Sequence, residues 1–187
     1  MTGIRRRLAS LRDEGGYSLI ELLTAMAILS VVMGSLTVVM ASATKADARM
    51  NNEFQAQTAA RTALERFRRE GHAACKADPV GPSASVTLTY VTSGSCPATG
   101  GTQVTWCTVA TGTSRYGLFR APGSTCDGTA TRIADYLTVA TAFNYQTTTQ
   151  RRAKVGITLS VNPNPNAGKS YALEDDIVLR NSPRVPA

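Results

Sequence analysis

An uninterrupted apolar run near the N-terminus constrains this chain of 187 residues more than any other feature of its sequence. Residues 22–44 contain no charged side chain and no proline. As a helix, this run would be about 34 Å long, which matches a bilayer core of about 30 Å. It is longer than the apolar part of a cleavable secretory signal, about 7 to 15 residues. We therefore expect a membrane-spanning helix, with cleavage at the small residues 41–43 as the less favoured alternative.

The charges around the apolar run are distributed asymmetrically. The first 16 residues contain four arginines and only two acidic residues. Basic flanks of a spanning helix remain in the cytoplasm. The sequence therefore predicts a single-pass protein of the cell (inner) membrane, with its N-terminus inside and everything after Lys45 outside.

Glu21 is an acidic residue at the very start of this apolar segment. A carboxylate in a membrane costs about 2.5 to 3.5 kcal/mol when it is central, so it requires a partner or a position at the interface. The less favoured of two interpretations is a carboxylate at the level of the lipid headgroups that interacts with the helix N-terminus.

The segment GGYSLIELL, residues 15–23, follows a basic leader and precedes the apolar run. This arrangement resembles the prepilin-type signal of type IV pilins and type II secretion pseudopilins. In that family a membrane peptidase, the prepilin peptidase, cleaves after the glycine on the cytoplasmic side and methylates the new N-terminal residue. The resemblance implies removal of leader residues 1–16 by cleavage between Gly16 and Tyr17, with methylation of Tyr17. Tyr17 stands where phenylalanine is the common residue.

The same resemblance implies a second role for Glu21, which would be the fifth residue of the mature chain. In family members this glutamate pairs with the terminal ammonium of a neighbouring subunit. Each charge is costly alone in a low-dielectric environment, so the pair favours one register of one helix against the next. The partners implied are other pilin or pseudopilin subunits, and the product is a filament at the cell surface.

A helical pattern continues beyond the apolar run, which predicts one helix from near Tyr17 to about Gly71. Its first part, residues 17–44, would serve membrane anchoring and assembly. Arg61, Glu65 and Arg69 are spaced for charge pairs on the outer face of its second part. Steps of three and four predict a buried face made of Met50, Phe54, Gln57, Ala60, Leu64 and Phe67.

The rest of the chain has the composition of a sheet, rich in Val, Thr, Tyr and Ile. Strands are predicted at 85–91, 102–110, 116–120, 138–146, 154–161 and 177–181, with a short helix or turn at 131–138 and an acidic turn at 174–176. The predicted fold is α+β and pilin-like, a long N-terminal helix packed by its second half on an antiparallel sheet, with residues 45–187 as the extracytoplasmic domain. KVGITLSV and LEDDIVLRN resemble segments of W-type pilus-assembly proteins and J-type pseudopilins.

The four cysteines, Cys75, Cys96, Cys107 and Cys126, all lie on the predicted outer side, where disulfides persist. Two bridges are expected, and three connectivities are possible. Sequential pairing is favoured because it closes local loops. No metal site is expected, since the chain lacks a CxxC spacing and His72 is its only histidine.

No motif indicates catalysis or a cofactor. His72 has no triad spacing around it, so the chain is expected to be the substrate of an enzyme and not an enzyme itself. Asp127 and the acidic residues 174–176 could bind a cation, but an acidic turn is the favoured interpretation. Without its leader the chain has a net charge of +5. This mild excess leaves DNA a possible but unsupported partner, with residues 115–120, RYGLFR, as the place to look.

Two functions remain open from the sequence. The favoured one is a minor pilin or pseudopilin subunit that enters, starts or caps a filament of a type IV pilus or a type II secretion system. The alternative is a non-polymerising, single-pass membrane-anchored module that binds an extracellular ligand.

Overall fold

The computed structural model describes residues 17–92, 94, 96–97, 101–127, 129–147, 152–164 and 170–183. Gly16 and the rest of the expected leader lie outside these residues, as do parts of several loops. The chain divides into two compact units, residues 1–48 and 49–187.

A single helix of 55 residues, α1 (Leu19–Ala73), agrees with the predicted helix to within two residues at each end. It begins directly after Ser18, whose carbonyl accepts hydrogen bonds from the backbone N–H groups of Glu21 (2.9 Å) and Leu22 (3.2 Å). It ends where the first strand starts, at Ala74. The part of α1 within the second unit packs against the sheet of that unit.

The buried face of α1 is shorter than the sequence pattern predicts. Ala60, Leu64 and Phe67 are buried as expected, but Met50 and Phe54 are 68% and 69% exposed. Burial along the helix begins only at Ala56. Apolar periodicity therefore marks a continuous stripe, of which the sheet covers only the C-terminal part.

The sheet has nine strands, all joined in antiparallel pairs. The neighbour order is β1-β3-β4-β5-β6-β8-β7-β2, and β9 also pairs with β8. The long helix on this antiparallel sheet confirms the predicted α+β, pilin-like architecture. The strands are β1 (Ala74–Asp78), β2 (Gly81–Ser83), β3 (Ser85–Tyr90), β4 (Gln103–Gly112), β5 (Arg115–Pro122), β6 (Thr131–Leu137), β7 (Phe143–Gln146), β8 (Lys154–Val161) and β9 (Tyr171–Val178).

Several local predictions in the sheet region were wrong. The helix or turn expected at 131–138 is strand β6, and the acidic turn expected at 174–176 lies within strand β9. Of the strand expected at 138–146 only Phe143–Gln146 forms. In β9 the acidic residues are tolerated because Asp175 and Asp176 meet cations, Arg68 and Lys154.

The core of the second unit forms where α1 crosses the sheet. The Phe67 ring lies edge-on to the Trp106 ring, with centroids 5.4 Å apart, and 5.5 Å from that of Phe143. Gly71 allows a close approach of the helix to β9, since a Cβ atom there would lie 2.8 Å from Cγ2 of Ile177. Close packing of this kind fixes the helix on the sheet.

The two cysteine pairs are those of the sequential connectivity. Cys75 is bonded to Cys96, with Cα atoms 5.8 Å apart, and Cys107 to Cys126, with Cα atoms 6.4 Å apart. The first bridge fixes the segment after β3 to β1, and the second fixes the segment after β5 to β4.

We expect the mature protein to contain no free thiol, because all four cysteines are paired. Alkylation of unfolded, unreduced protein followed by mass measurement checks this, with reduced protein as the positive control. A labelled cysteine in the unreduced sample would contradict the bridged structure.

Candidate processing and assembly site

The start of α1 brings together the residues that the sequence marks for processing and assembly. Tyr17 lies two residues before the helix, with 84% of its surface exposed. Glu21 lies in the first helical turn and is also exposed. Gly16, the other side of the expected cleavage site, lies outside the described residues.

The Glu21 carboxylate is available for a partner. In the part of the chain that the structure describes, its side chain makes no hydrogen bond or ion pair, and only its backbone groups are engaged. A negative charge in the first turn interacts favourably with the helix dipole, by about 0.3 to 1 kcal/mol at an exposed site. This position therefore suits both a helix-start carboxylate and one that meets an external cation.

The helix that follows presents an apolar surface on all sides. An 18-residue window of α1 has a mean hydropathy of 2.2, and none of it is buried. The large exposed side chains are Leu19, Ile20, Leu22, Leu23, Met26, Ile28, Leu29, Val31, Val32, Met33, Leu36, Val38, Val39 and Met40.

The hydroxyl groups within this apolar surface are satisfied inside the helix. Each donates a hydrogen bond to a carbonyl three or four residues earlier, as Ser30 does to Ala27 (2.8 Å) and Ser35 to Val32 (2.8 Å). Such back-bonding removes the cost of placing a hydroxyl in hydrocarbon. The same contact is made by Thr24, Thr37, Ser42 and Thr44.

A polar cluster that the sequence did not reveal joins α1 to the sheet. It consists of Glu70, Arg66, Trp106 and Arg120, and we call it the Glu70 cluster. The Glu70 carboxylate accepts hydrogen bonds from Trp106 Nε1 (2.8 Å), Arg120 Nε (2.9 Å) and Arg66 Nε (3.3 Å). Burial, and then the Glu70 charge, raise the pKa of Tyr90 to about 12. Glu70 follows the buried Phe67 by three residues, which places it beside the buried face of the helix. This spacing was the one sequence feature that could have predicted a contact between Glu70 and the sheet.

The remaining polar candidates have structural roles. His72 Nδ1 lies 2.9 Å from the Val178 carbonyl oxygen. Asp127 accepts hydrogen bonds from the Thr129 hydroxyl and backbone N–H, which lower the pKa of Asp127. Among the described residues, no three His, Cys, Asp or Glu side chains are placed so that together they could hold a metal ion.

The arginines of the RYGLFR segment are engaged within the protein. Arg120 pairs with Glu70, and the Arg115 guanidinium lies 5.4 Å from the centroid of the Tyr136 ring. Of the two arginines in this segment, Arg120 is therefore paired with a carboxylate, and Arg115 lies over an aromatic ring.

On the helix, the charge pairs predicted among Arg61, Glu65 and Arg69 do not form in the described structure. Arg61 donates instead to the Tyr171 hydroxyl at 2.8 Å.

Comparison with protein families identifies the N-terminal segment of the chain. Residues 11–37 match the family described as the prokaryotic N-terminal methylation motif. The matched segment includes Gly16, Tyr17 and Glu21 and extends to Thr37 within the apolar run. No curated protein and no solved structure matches the chain significantly.

Proposed function

We infer, from the methylation motif that supports its membership of the type IV pilin and pseudopilin family, that this chain is a minor pilin or pseudopilin subunit. The motif points to a structural subunit and not to an enzyme. In our proposal the prepilin peptidase removes residues 1–16 and methylates Tyr17. The mature protein then enters, starts or caps a filament of a type IV pilus or a type II secretion system.

The observation that carries this proposal is the exposed apolar surface of α1, most of which lies within the matched residues 11–37. From Leu19 to Met40, α1 exposes large apolar side chains, and its hydroxyl groups are satisfied internally. Such a surface is stable in lipid or within a bundle of like helices. It can therefore be held in the membrane before assembly and packed against neighbouring subunits afterwards.

Glu21 provides register in this proposal. The Tyr17 ammonium released by cleavage and the Glu21 carboxylate are the charges expected at the start of the mature helix. A subunit that places its Tyr17 ammonium beside the Glu21 of its neighbour compensates both charges. Other axial positions leave both charges uncompensated, so the pair selects one axial position.

The proposed localisation follows from the basic leader and the disulfides. The N-terminus lies in the cytoplasm before cleavage, and residues 45–187 form an extracytoplasmic domain. The two bonded cysteine pairs agree with an oxidising compartment on the outer side.

Replacing Gly16 with leucine should leave the full-length precursor in the membrane, because the bulky side chain obstructs cleavage at the Gly16–Tyr17 bond. Intact-mass measurement of the purified protein distinguishes the precursor from a chain that starts at methylated Tyr17. Gly34→Ala is the matched control, since a Cβ atom at Gly34 meets nothing within 4 Å. Normal processing of the Gly16 variant would refute the proposed cleavage site.

A further inference from the structure

The described sheet has three outer strands, and two of them are protected against pairing with another chain. Strand β1 has an irregular register between Ala74 and Lys76 and carries a lysine. Strand β2 has only three residues and includes Pro82. Short length, bulges, proline and charged side chains, lysine above all, are means by which proteins block a sheet edge.

Strand β9 has no bulge, no proline and no lysine, and its charged side chains are all acidic, so they oppose pairing with an acidic strand but not with a basic one. Its eight residues pair with β8 in an unbroken register from Tyr171 to Val178. Its only strand partner in the described part of the sheet is β8. An edge of this kind is a template for a further strand.

The backbone groups that face this open edge can be identified from the ladder. The Leu179 N–H donates to the Ala153 carbonyl at 2.9 Å, so residues 173, 175 and 177 bond to β8 in the alternating antiparallel pattern. The backbone groups of Ala172, Glu174 and Asp176 therefore point away from β8. No described residue bonds to these groups.

His72 closes one end of the open edge. The Val178 carbonyl also points away from β8, and His72 Nδ1 lies 2.9 Å from its oxygen. The open stretch is therefore Ala172 to Asp176, which we call the β9 edge. It is long enough to pair with a strand of about five residues.

Two acidic side chains give the β9 edge a charge preference. Glu174 and Asp176 are exposed on the outer face of the sheet, opposite the face that α1 covers. Asp176 meets Lys154 at 2.7 Å, whereas the Glu174 side chain has no hydrogen-bond or ion-pair partner in the described structure. Both border a groove on that face. A lysine or arginine on an added strand would lie directly beside them.

We propose that the β9 edge binds an extended segment of a partner protein that carries lysine or arginine at alternate positions. Backbone hydrogen bonds to Ala172, Glu174 and Asp176 supply the affinity, and the basic side chains supply the specificity. Antiparallel pairing of two copies through this edge would place their acidic side chains together, which disfavours a second copy as the occupant. The proposal does not depend on filament assembly.

The test uses the purified mature protein in detergent and two synthetic peptides of seven residues. One alternates lysine with valine, and the other alternates glutamate with valine. We expect saturable binding of the lysine peptide, with slower hydrogen exchange at the amides of residues 172, 174 and 176. The glutamate peptide should bind at least about tenfold more weakly, because like charges face each other across the pair.

Two substitutions at one position separate backbone pairing from simple charge attraction. Glu174→Pro removes an N–H that points away from β8, so it leaves the β8–β9 ladder intact. Glu174→Ala removes the carboxylate but keeps the N–H. We expect the proline variant to lose at least about tenfold in affinity for the lysine peptide and the alanine variant to lose less. Unchanged disulfide content and circular dichroism establish that both variants fold.

Several results would overturn the proposal. They are absence of saturable binding, equal binding of both peptides, and full retention of binding by Glu174→Pro. Self-association of the wild-type protein that Glu174→Pro abolishes would assign the edge to a second copy instead. If the proline variant does not fold, hydrogen exchange of the wild-type protein with the lysine peptide bound provides the test. Amides of residues 172, 174 and 176 that exchange as fast as in the free protein would contradict strand addition.

Discussion

Replacing Glu70 with alanine should lower the free energy of unfolding of the sheet-bearing unit by about 3 kcal/mol. The substitution leaves the Trp106 indole N–H without its acceptor and the Arg120 guanidinium without its counter-charge. The figure lies at the lower end of the range for a buried pair, because the side chains of Arg120 and Glu70 are still 24% and 16% exposed. For a unit of this size the midpoint of thermal unfolding should fall by about 10 °C.

Trp106 is the only tryptophan of the chain, so its fluorescence reports this unfolding directly in the full-length protein in detergent. Glu65→Ala is the matched control, since Glu65 lies on the same helix, is exposed and makes no hydrogen bond or ion pair in the described structure. It should change stability by less than about 0.5 kcal/mol. Equal effects of the two substitutions would show that the Glu70 cluster does not hold the helix on the sheet.

Glu21→Ala should reduce incorporation into filaments while leaving cleavage of the leader and the stability of the outer unit unchanged. In the proposed assembly it leaves the Tyr17 ammonium of a neighbouring subunit without a partner in an apolar bundle. Loss of one member of a buried pair costs about 3 to 5 kcal/mol. The amount of the variant in sheared filaments, relative to the amount in the membrane, measures the effect.

Glu21→Gln refines this prediction, because glutamine keeps the size and hydrogen bonding of the side chain and removes the charge. It should be intermediate or as defective as alanine. An alanine variant that is incorporated as well as the wild type would mean that Glu21 is only a tolerated carboxylate at the membrane interface, where its contact is with the helix N-terminus.

The large elements of the fold were predictable because their signals are local. The absence of charge and proline from residues 22–44, and the three- and four-residue steps through Ala60, Leu64 and Phe67, are sufficient to predict α1. The extent of its burial was not predictable. Met50 and Phe54 continue the same stripe, but whether a side chain is covered depends on where the sheet lies, which is a tertiary property.

The errors in the sheet have a similar cause. Residues 131–137 include Ala, Asp and Leu, which do not favour a strand, but pairing with β5 extends the segment. The acidic residues of β9 suggested a turn. Arg68 and Lys154, the cations that pair with Asp175 and Asp176, are distant in sequence, so the local sequence did not show that a strand could hold these carboxylates.

The proposed processing and assembly site could be inferred from the sequence for a different reason. In our proposal, cleavage and assembly depend on a short contiguous segment around Gly16, Tyr17 and Glu21, all of which lies within the matched residues 11–37. The Glu70 cluster depends on residues from α1, β4 and β5, which become neighbours only when the chain folds.

The most direct test of the central claim is the composition of filaments sheared from cells that express this protein with its complete assembly machinery. The N-terminus and mass of the protein in that fraction are measured. We expect the wild-type chain to be present in the filaments, to begin at Tyr17 and to carry one methyl group. A protein that is processed normally yet remains entirely in the membrane fraction would contradict the filament-subunit function and favour the non-polymerising, membrane-anchored binding module.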